Sequence, residues 1–206
     1  MTERPRPRVA GILLAGGRSR RFGGDKRYLV VDGEPLFVRP LRAMAEVADE
    51  IAIVIGPDEP ELALPDGLGK PVRFARDRLA FAGPLAAVGA GVDAVPDAEL
   101  VLVAGADMPS LEPAVLRALL DEVGAGSADA CTLEGPDAAH LAPLPFAGRR
   151  ALIADVARDR LATGERSLHA ALLAIGARQL PGPAWRALDP DGRSLRDVDR
   201  PEDVGA

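Results

Sequence analysis

Residues 9–15 form an unbroken apolar run that ends at the glycine pair Gly16-Gly17. A short apolar run bounded by glycines reads as a strand buried on both faces, which a parallel sheet covered by helices provides. The chain then repeats the theme. Apolar runs at 51–55, 72–75, 100–104, 128–133 and 177–180 read as further strands, and 195–199 as a last one. Between them lie helical patterns. Residues 35–48 carry Leu36, Phe37, Leu41, Met44 and Val47 at helical spacing, with Pro35 near the start. Gly83-Pro84 opens a helix reaching about Val92, and Ser110 reads as the N-cap of a helix over 111–123. Residues 149–160 and 167–175 read as two more, and Pro201-Glu202-Asp203 begins a last, short one. The stretch 134–148, rich in Gly, Pro and Ala, reads as loop or insertion. Strands alternating with helices predict an α/β fold, a three-layer α/β/α sandwich around a mostly parallel, Rossmann-like sheet. Ligands of such sheets bind beyond the carboxyl ends of the strands. The segments after Ala15, Ile55, Ala104 and the 195–199 run are therefore the places to look.

A chain of 206 residues suits a single domain. Aromatic residues are only 3 %, so Leu, Val, Ile and Ala must fill the core. The net charge of −6 argues against a nucleic-acid partner, since phosphate backbones call for a basic face. The dense basic cluster is Arg18, Arg20, Arg21, Lys26 and Arg27, within a glycine-rich segment. Local positive charge in an acidic protein suits a small polyanion better than a duplex. Cys131 is the one cysteine, so no internal disulfide is possible. The N-terminus carries no signal-peptide apolar region, and no apolar run reaches membrane-spanning length. A cytoplasmic protein with no membrane partner is expected.

The segment Leu14-Ala15-Gly16-Gly17-Arg18-Ser19-Arg20-Arg21-Phe22-Gly23-Gly24-Asp25-Lys26 carries most of the chemical information. Glycines let the backbone turn tightly and aim several N–H groups at one anion. Arg21 and Lys26 add full charges for a triphosphate. The spacing is neither that of a Walker P-loop nor that of the dinucleotide-binding G-x-G-x-x-G. Glycine content alone leaves open a basic loop with no ligand. Asp107 follows the 100–104 strand and precedes Met108-Pro109, which puts a carboxylate on a short, rigid arm. Mg²⁺ prefers one or two carboxylates together with water and phosphate oxygens, so one such residue can seat it. The alternative for Asp107 is a helix cap ahead of Leu111. His140 and His169 show no metal-ligand spacing. Cys131 reads as a buried small hydrophobe. Trp185 either packs or lines a ligand site, and Gly89-Ala90-Gly91 reads as structural.

The full pattern resembles the L-A-G-G-x-S-x-R-[FM]-G-x-D-K signature of the molybdenum cofactor guanylyltransferases, NTP-transferases of the GT-A type, with every fixed position filled. Gly83-Pro84-Leu85-Ala86-Ala87 resembles the family's G-P-L-A-G. Asp107-Met108-Pro109 resembles its D-x-P, and Gly164-Glu165-Arg166 its G-E-R. The stretch Asp197-Val198-Asp199-Arg200-Pro201-Glu202-Asp203-Val204 resembles its near-terminal motif. The resemblance runs from about residue 9 to residue 204.

It implies nucleotide binding by Leu14, Ala15, Gly16, Gly17, Ser19, Arg21, Lys26, Asp77, Gly83, Pro84, Leu85 and Asp107. It implies catalysis by Arg21, Lys26 and Asp107, Mg²⁺ as cofactor, and Asp107 and Asp199 as metal ligands. Residues 134–185 would contribute an acceptor-side insertion. Asp77 matches in position a family residue that contacts the base. A carboxylate can accept two hydrogen bonds from the N1–H and N2–H₂ edge of guanine. The alternatives are a plain surface Asp77 between Arg76 and Arg78, and an Asp199 that caps the terminal helix.

The implied reaction moves GMP from GTP to molybdopterin with release of pyrophosphate, in the service of molybdoenzyme clients. Cytidylyl transfer to the same pterin, transfer to another phosphorylated acceptor, and a catalytically silent nucleotide-binding protein are the alternatives. The chain departs from the family in a terminal helix cut short at Ala206 and in two internal segments. Gly56-Pro57-Asp58-Glu59 stands where the family carries N-A-N-R. His140-Leu141-Ala142-Pro143-Leu144 stands where it carries H-P-L.

Overall fold

A computed structural model describes residues 6–16, 25–31, 33–77, 83–135, 141–198 and 203. Its main sheet has seven strands, and their order explains where a ligand can bind. β1 (Val9–Leu14) lies between β4 (Glu50–Ile55) and β6 (Leu100–Gly105), parallel to both, and β5 (Val72–Arg76) extends the sheet beyond β4. Beyond β6 come β8 (Leu141–Arg149), β7 (Ala130–Glu134) and β9 (Arg178–Leu180), in the order β5-β4-β1-β6-β8-β7-β9. Only β8 runs against the rest. A small antiparallel pair, β2 (Val30–Val31) and β3 (Glu34–Pro35), stands apart.

Alternation along the strands divides the core into two layers. Leu13, Ile51, Ile53, Ile55, Leu100 and Leu102 face one side. There they meet α1 (Val38–Ala45), α3 (Pro113–Gly124) and α6 (Gly182–Arg186) through residues such as Leu41, Leu116 and Trp185. Ile12, Val54, Val101, Val103 and Phe146 face the other side. They meet α2 (Pro84–Asp93), α4 (Arg150–Ala162) and α5 (Leu168–Ala174). Each fully buried Leu, Ile or Val contributes about 1.5–3 kcal/mol. The predicted three-layer α/β/α sandwich with a mostly parallel sheet is what forms. Gly91 lets α2 lie against the sheet, because a Cβ there would crowd Ile12 and Val54. Ser167 caps α5, its hydroxyl accepting the Ala170 N–H at 3.1 Å.

Four expectations need correction. The stretch 134–148, read as loop or insertion, holds the nine-residue strand β8. Prolines usually exclude a strand from a sheet interior. Here Pro143 and Pro145 fall in the irregular stretch between the pairs Thr132–Phe146 and Glu134–Leu141, where no regular ladder bond is needed. The helix expected from Pro35 starts at Val38, because Pro35 belongs to β3 and Leu36 N–H still donates to Leu29 O. Ser110 does not cap α3. That helix begins at Pro113, whose missing N–H suits a first helical position, and its N-cap residue is Glu112. No strand forms over the described part of 195–199. A single 3₁₀ turn, Arg193–Leu195, leads into a segment that meets the loop after β6 through Val198 N–H to Asp107 O at 2.8 Å.

Cys131 lies fully buried on β7, and burial together with the nearby Glu122 carboxylate pushes its thiol up to about 11. The thiolate is the reactive form, so native protein is expected to resist thiol reagents at pH 8 and to react after unfolding. Stoichiometric labelling of native protein within minutes would contradict this.

Candidate active site

β1, β4, β5, β6, β7 and β9 all point their carboxyl ends at one edge, and the sequence motifs gather there. β1 ends in half-buried Leu14 and buried Ala15. Ala15 N–H continues the ladder to Val54 O at 2.8 Å. The chain then turns at Gly16 directly against the loop after β4. A Cβ on Gly16 would stand 3.2 Å from the backbone nitrogen of Gly56, so glycine allows the two turns to touch. Gly17, Ser19, Arg21 and Asp199 lie outside the described residues, as does His140.

The chain re-emerges at Asp25, whose carboxylate caps the 3₁₀ turn Lys26–Tyr28 through the Arg27 N–H. Lys26 projects onto the edge. Its Nζ donates to Asp107 Oδ2 at 2.6 Å and to Val198 O at 3.3 Å. Asp107 sits two residues beyond β6. The turn is closed by Met108 N–H to Gly105 O, and a Cβ on Gly105 would collide with the Asp107 carboxylate. The Lys26 and Asp107 side chains are 22 % and 28 % exposed, open enough for a ligand to reach them. Three motifs far apart in sequence thus meet: the end of the glycine-rich segment, the D-x-P stretch and the near-terminal stretch. Such an arrangement presents an ammonium and a carboxylate side by side at a strand end. It suits a ligand that carries phosphate and a hard cation together.

The other candidates sit differently. Asp77 follows β5, two strands away from β1 on the same edge, with its N–H bonded to Ile55 O at 3.0 Å. It borders a groove of about 740 Å³ between α2 and α4, lined by small residues such as Ala86, Gly89, Ala90 and Ala157. Gly83 has φ +89° and lies against Arg166, so the G-P-L and G-E-R segments pack on each other. Pro84 takes the first position of α2, and Leu85 is buried in the core beneath it. Glu165 accepts the N–H groups of Ser167 and Arg166 at 2.8 Å, which hold its carboxyl below its ordinary value. Trp185 packs rather than lines a site. It is fully buried, with its indole N–H given to Glu134 O at 3.2 Å and the Arg186 guanidinium over its ring.

Sequence reasoning missed one element of this edge. Arg27 counts in the sequence as one more member of a basic cluster, yet it is buried and binds Asp25, Glu59 and the Ala15 carbonyl at once. Burial opposes ionisation of Asp25, but the hydrogen bonds and charge of Arg27 outweigh it and hold the carboxyl below its ordinary value. The only sequence signal was indirect: the acidic Glu59 in a loop that departs from the family pattern.

Comparison with known proteins shows the family and the fold. Residues 11–177 match the family described as the MobA-like NTP transferase domain. The chain is 35 % identical over 200 residues to a probable molybdenum cofactor guanylyltransferase of Chloroflexus aggregans, covering 95 % of this chain and 91 % of that protein. It is 39 % identical over 170 residues to a molybdenum cofactor guanylyltransferase of Burkholderia vietnamiensis, covering 80 % and 81 %. Its fold is similar to the crystal structure of molybdopterin-guanine dinucleotide biosynthesis protein A from Archaeoglobus fulgidus. The TM-score is 0.72 at 21 % identity, over 95 % of this chain and 94 % of that one.

Proposed function

This chain belongs to the MobA-like NTP transferase family, and on that premise we propose that it transfers GMP from GTP to molybdopterin and releases pyrophosphate. The observation that carries the reading is the meeting of Lys26, Asp107 and the Val198 carbonyl at the carboxyl edge. The names of its relatives supply the choice of guanine and pterin.

In the reaction a terminal phosphate oxygen of the acceptor attacks the α-phosphorus of GTP. A new P–O bond forms, the bond to the β-phosphate oxygen breaks, and pyrophosphate leaves with the electron pair. The protein supplies no covalent intermediate. Its task is to align two anions and to neutralise the charge that separates them. Backbone N–H groups at Gly16 and Gly17, with the Ser19 hydroxyl, bind phosphate. Arg21 and Lys26 oppose the charge that grows on the phosphoryl oxygens. Asp77 reads the base, while Gly83 and Pro84 shape the wall beside it, with Leu85 packed in the core behind them.

The donor set fits Mg²⁺. Among the described residues no group of three or more His, Cys, Asp or Glu forms a cage of protein ligands. Mg²⁺ asks for less, one or two carboxylates with water and phosphate oxygens, and Asp107 offers such a carboxylate. Asp107 and Asp199 would hold the ion, which when bound acts as a Lewis acid toward the phosphates. Residues 134–185 would form the acceptor side. No helix among the described residues is long and apolar enough to cross a membrane.

The test supplies purified protein with Mg²⁺ and each of GTP, CTP, ATP and UTP, with and without molybdopterin. Pyrophosphate is followed and the product weighed. Release with GTP and molybdopterin alone, giving the guanine dinucleotide, is expected. A cytosine dinucleotide, or no turnover with molybdopterin, would overturn the choice of substrate pair.

A further inference from the structure

Arg27 is 7 % exposed, and a buried guanidinium is tolerated only where its donors are satisfied. Here the fork is filled from three stretches of chain. Nε reaches both oxygens of Asp25, at 2.8 and 3.0 Å, and Nη2 reaches Oδ2 at 2.5 Å. Nη1 reaches Glu59 Oε2 at 2.6 Å and Ala15 O at 2.8 Å. Glu59 Oε2 in turn accepts the Gly56 N–H at 3.1 Å. From the outer side, Arg76 Nη1 donates to the carbonyls of Gly56, Pro57 and Glu59 at 3.2, 3.0 and 2.8 Å. The loop after β4 is therefore held between two guanidinium groups, with Gly16 packed against Gly56.

We propose that Arg27 is a positioning residue of the nucleotide site. It ties the loop Gly56–Glu59 to Ala15 and Asp25, which border the glycine-rich segment on its two sides, so that these stretches form one preorganised wall for a nucleoside triphosphate. This rests on the reading of the edge as a nucleotide site. Two physical effects make Arg27 matter there. Ala15 and Asp25 are separated by ten positions in sequence, and the fork fixes their separation in space without help from the ligand. It also offsets part of the negative charge of Asp25 and Glu59, with which its one guanidinium pairs. Without Arg27 two carboxylates would stand uncompensated beside bound phosphate and repel it. Lysine cannot replace the fork, since an ammonium carries charge but lacks the planar, divergent donors.

The experiment measures KM for GTP and kcat separately in R27M, R27K and E59Q, with R73M as control. Arg73 also pairs with a buried carboxylate, Glu50 at 2.6 Å, but on β5 away from the nucleotide edge. The expected result for R27M is a rise in KM of about tenfold or more with kcat within about threefold of wild type. R27K and E59Q should show smaller rises in KM, and R73M should lose thermal stability with an unchanged KM. If R27M does not fold, R27K and E59Q carry the test. An unchanged KM in the folded Arg27 and Glu59 variants, with an active wild type, overturns the positioning role alone. A wild type that turns over no nucleotide overturns the functional reading, and this inference with it.

Discussion

Asp107→Asn is expected to slow pyrophosphate release by about 10²-fold or more while leaving the protein folded. The substitution keeps the side chain's shape, so it still fits the space that Gly105 leaves and can still accept a hydrogen bond from Lys26. What it removes is the full negative charge, and with it the carboxylate proposed to hold Mg²⁺. Lys26→Ala removes the other half of the pair and is expected to cost as much, mainly in kcat. The thermal midpoint should hardly move in either variant. Both side chains are about a quarter exposed, and a pair of that kind contributes about 0–1 kcal/mol to stability. A large loss of rate with an almost unchanged melting temperature would mark the pair as built for the reaction. Wild-type turnover in either variant would end the assignment.

Trp185→Ala should have the largest effect on stability, about 3–5 kcal/mol. The ring is fully buried under α6 and the Gly192 turn, and its N–H satisfies the Glu134 carbonyl at the end of β7. Truncation removes the ring, leaves a cavity and strands that carbonyl. For a domain of this size the midpoint of thermal unfolding should fall by roughly 10 °C. Trp185→Phe keeps most of the packing and should lose only about 1–2 kcal/mol, the part due to the hydrogen bond. Circular dichroism melts of the two variants separate these contributions. Equal losses in both would mean that the indole N–H, not the packing, dominates. The ring also underlies the turn at Arg193–Leu195 that leads to Val198, so Trp185→Ala should slow catalysis as well.

The layered fold could be read from the sequence because it rests on local patterns. Ile12 and Leu13, or Leu102 and Val103, fall on opposite faces simply because a strand alternates, and both faces are apolar because helices cover both. Strand β8 was hidden by its own composition. Pro143, Pro145 and Gly148 argue against a strand unless one knows that the partner strand is irregular where the prolines fall, which is information held elsewhere in the chain. The start of α3 was misread for a simpler reason: Ser110 is a good cap by type, but Pro113 fixes the first turn three residues later. Lys26 and Asp107 could be named from motifs, and the fold brings them to 2.6 Å. Arg27 could not. Nothing in a run of arginines says which one is buried, since that depends on Glu59 arriving from the loop after β4.

The reversed direction of β8 has a consequence for how such a protein can change over evolutionary time. Glu134 pairs with Leu141, so β7 ends and β8 begins at the same edge as Asp107, beside β6. A hairpin connection can lengthen, shorten or change composition without shifting the register of the strands that carry it. The loop after β4 has less freedom, because Arg27 and the contact of Gly16 with Gly56 tie it to the end of β1. One side of the sheet is thus open to redesign while the other is held constant. If the proposed function holds, descendants of this architecture would acquire new acceptors by editing a few residues of one connection and leave the handling of the nucleotide untouched.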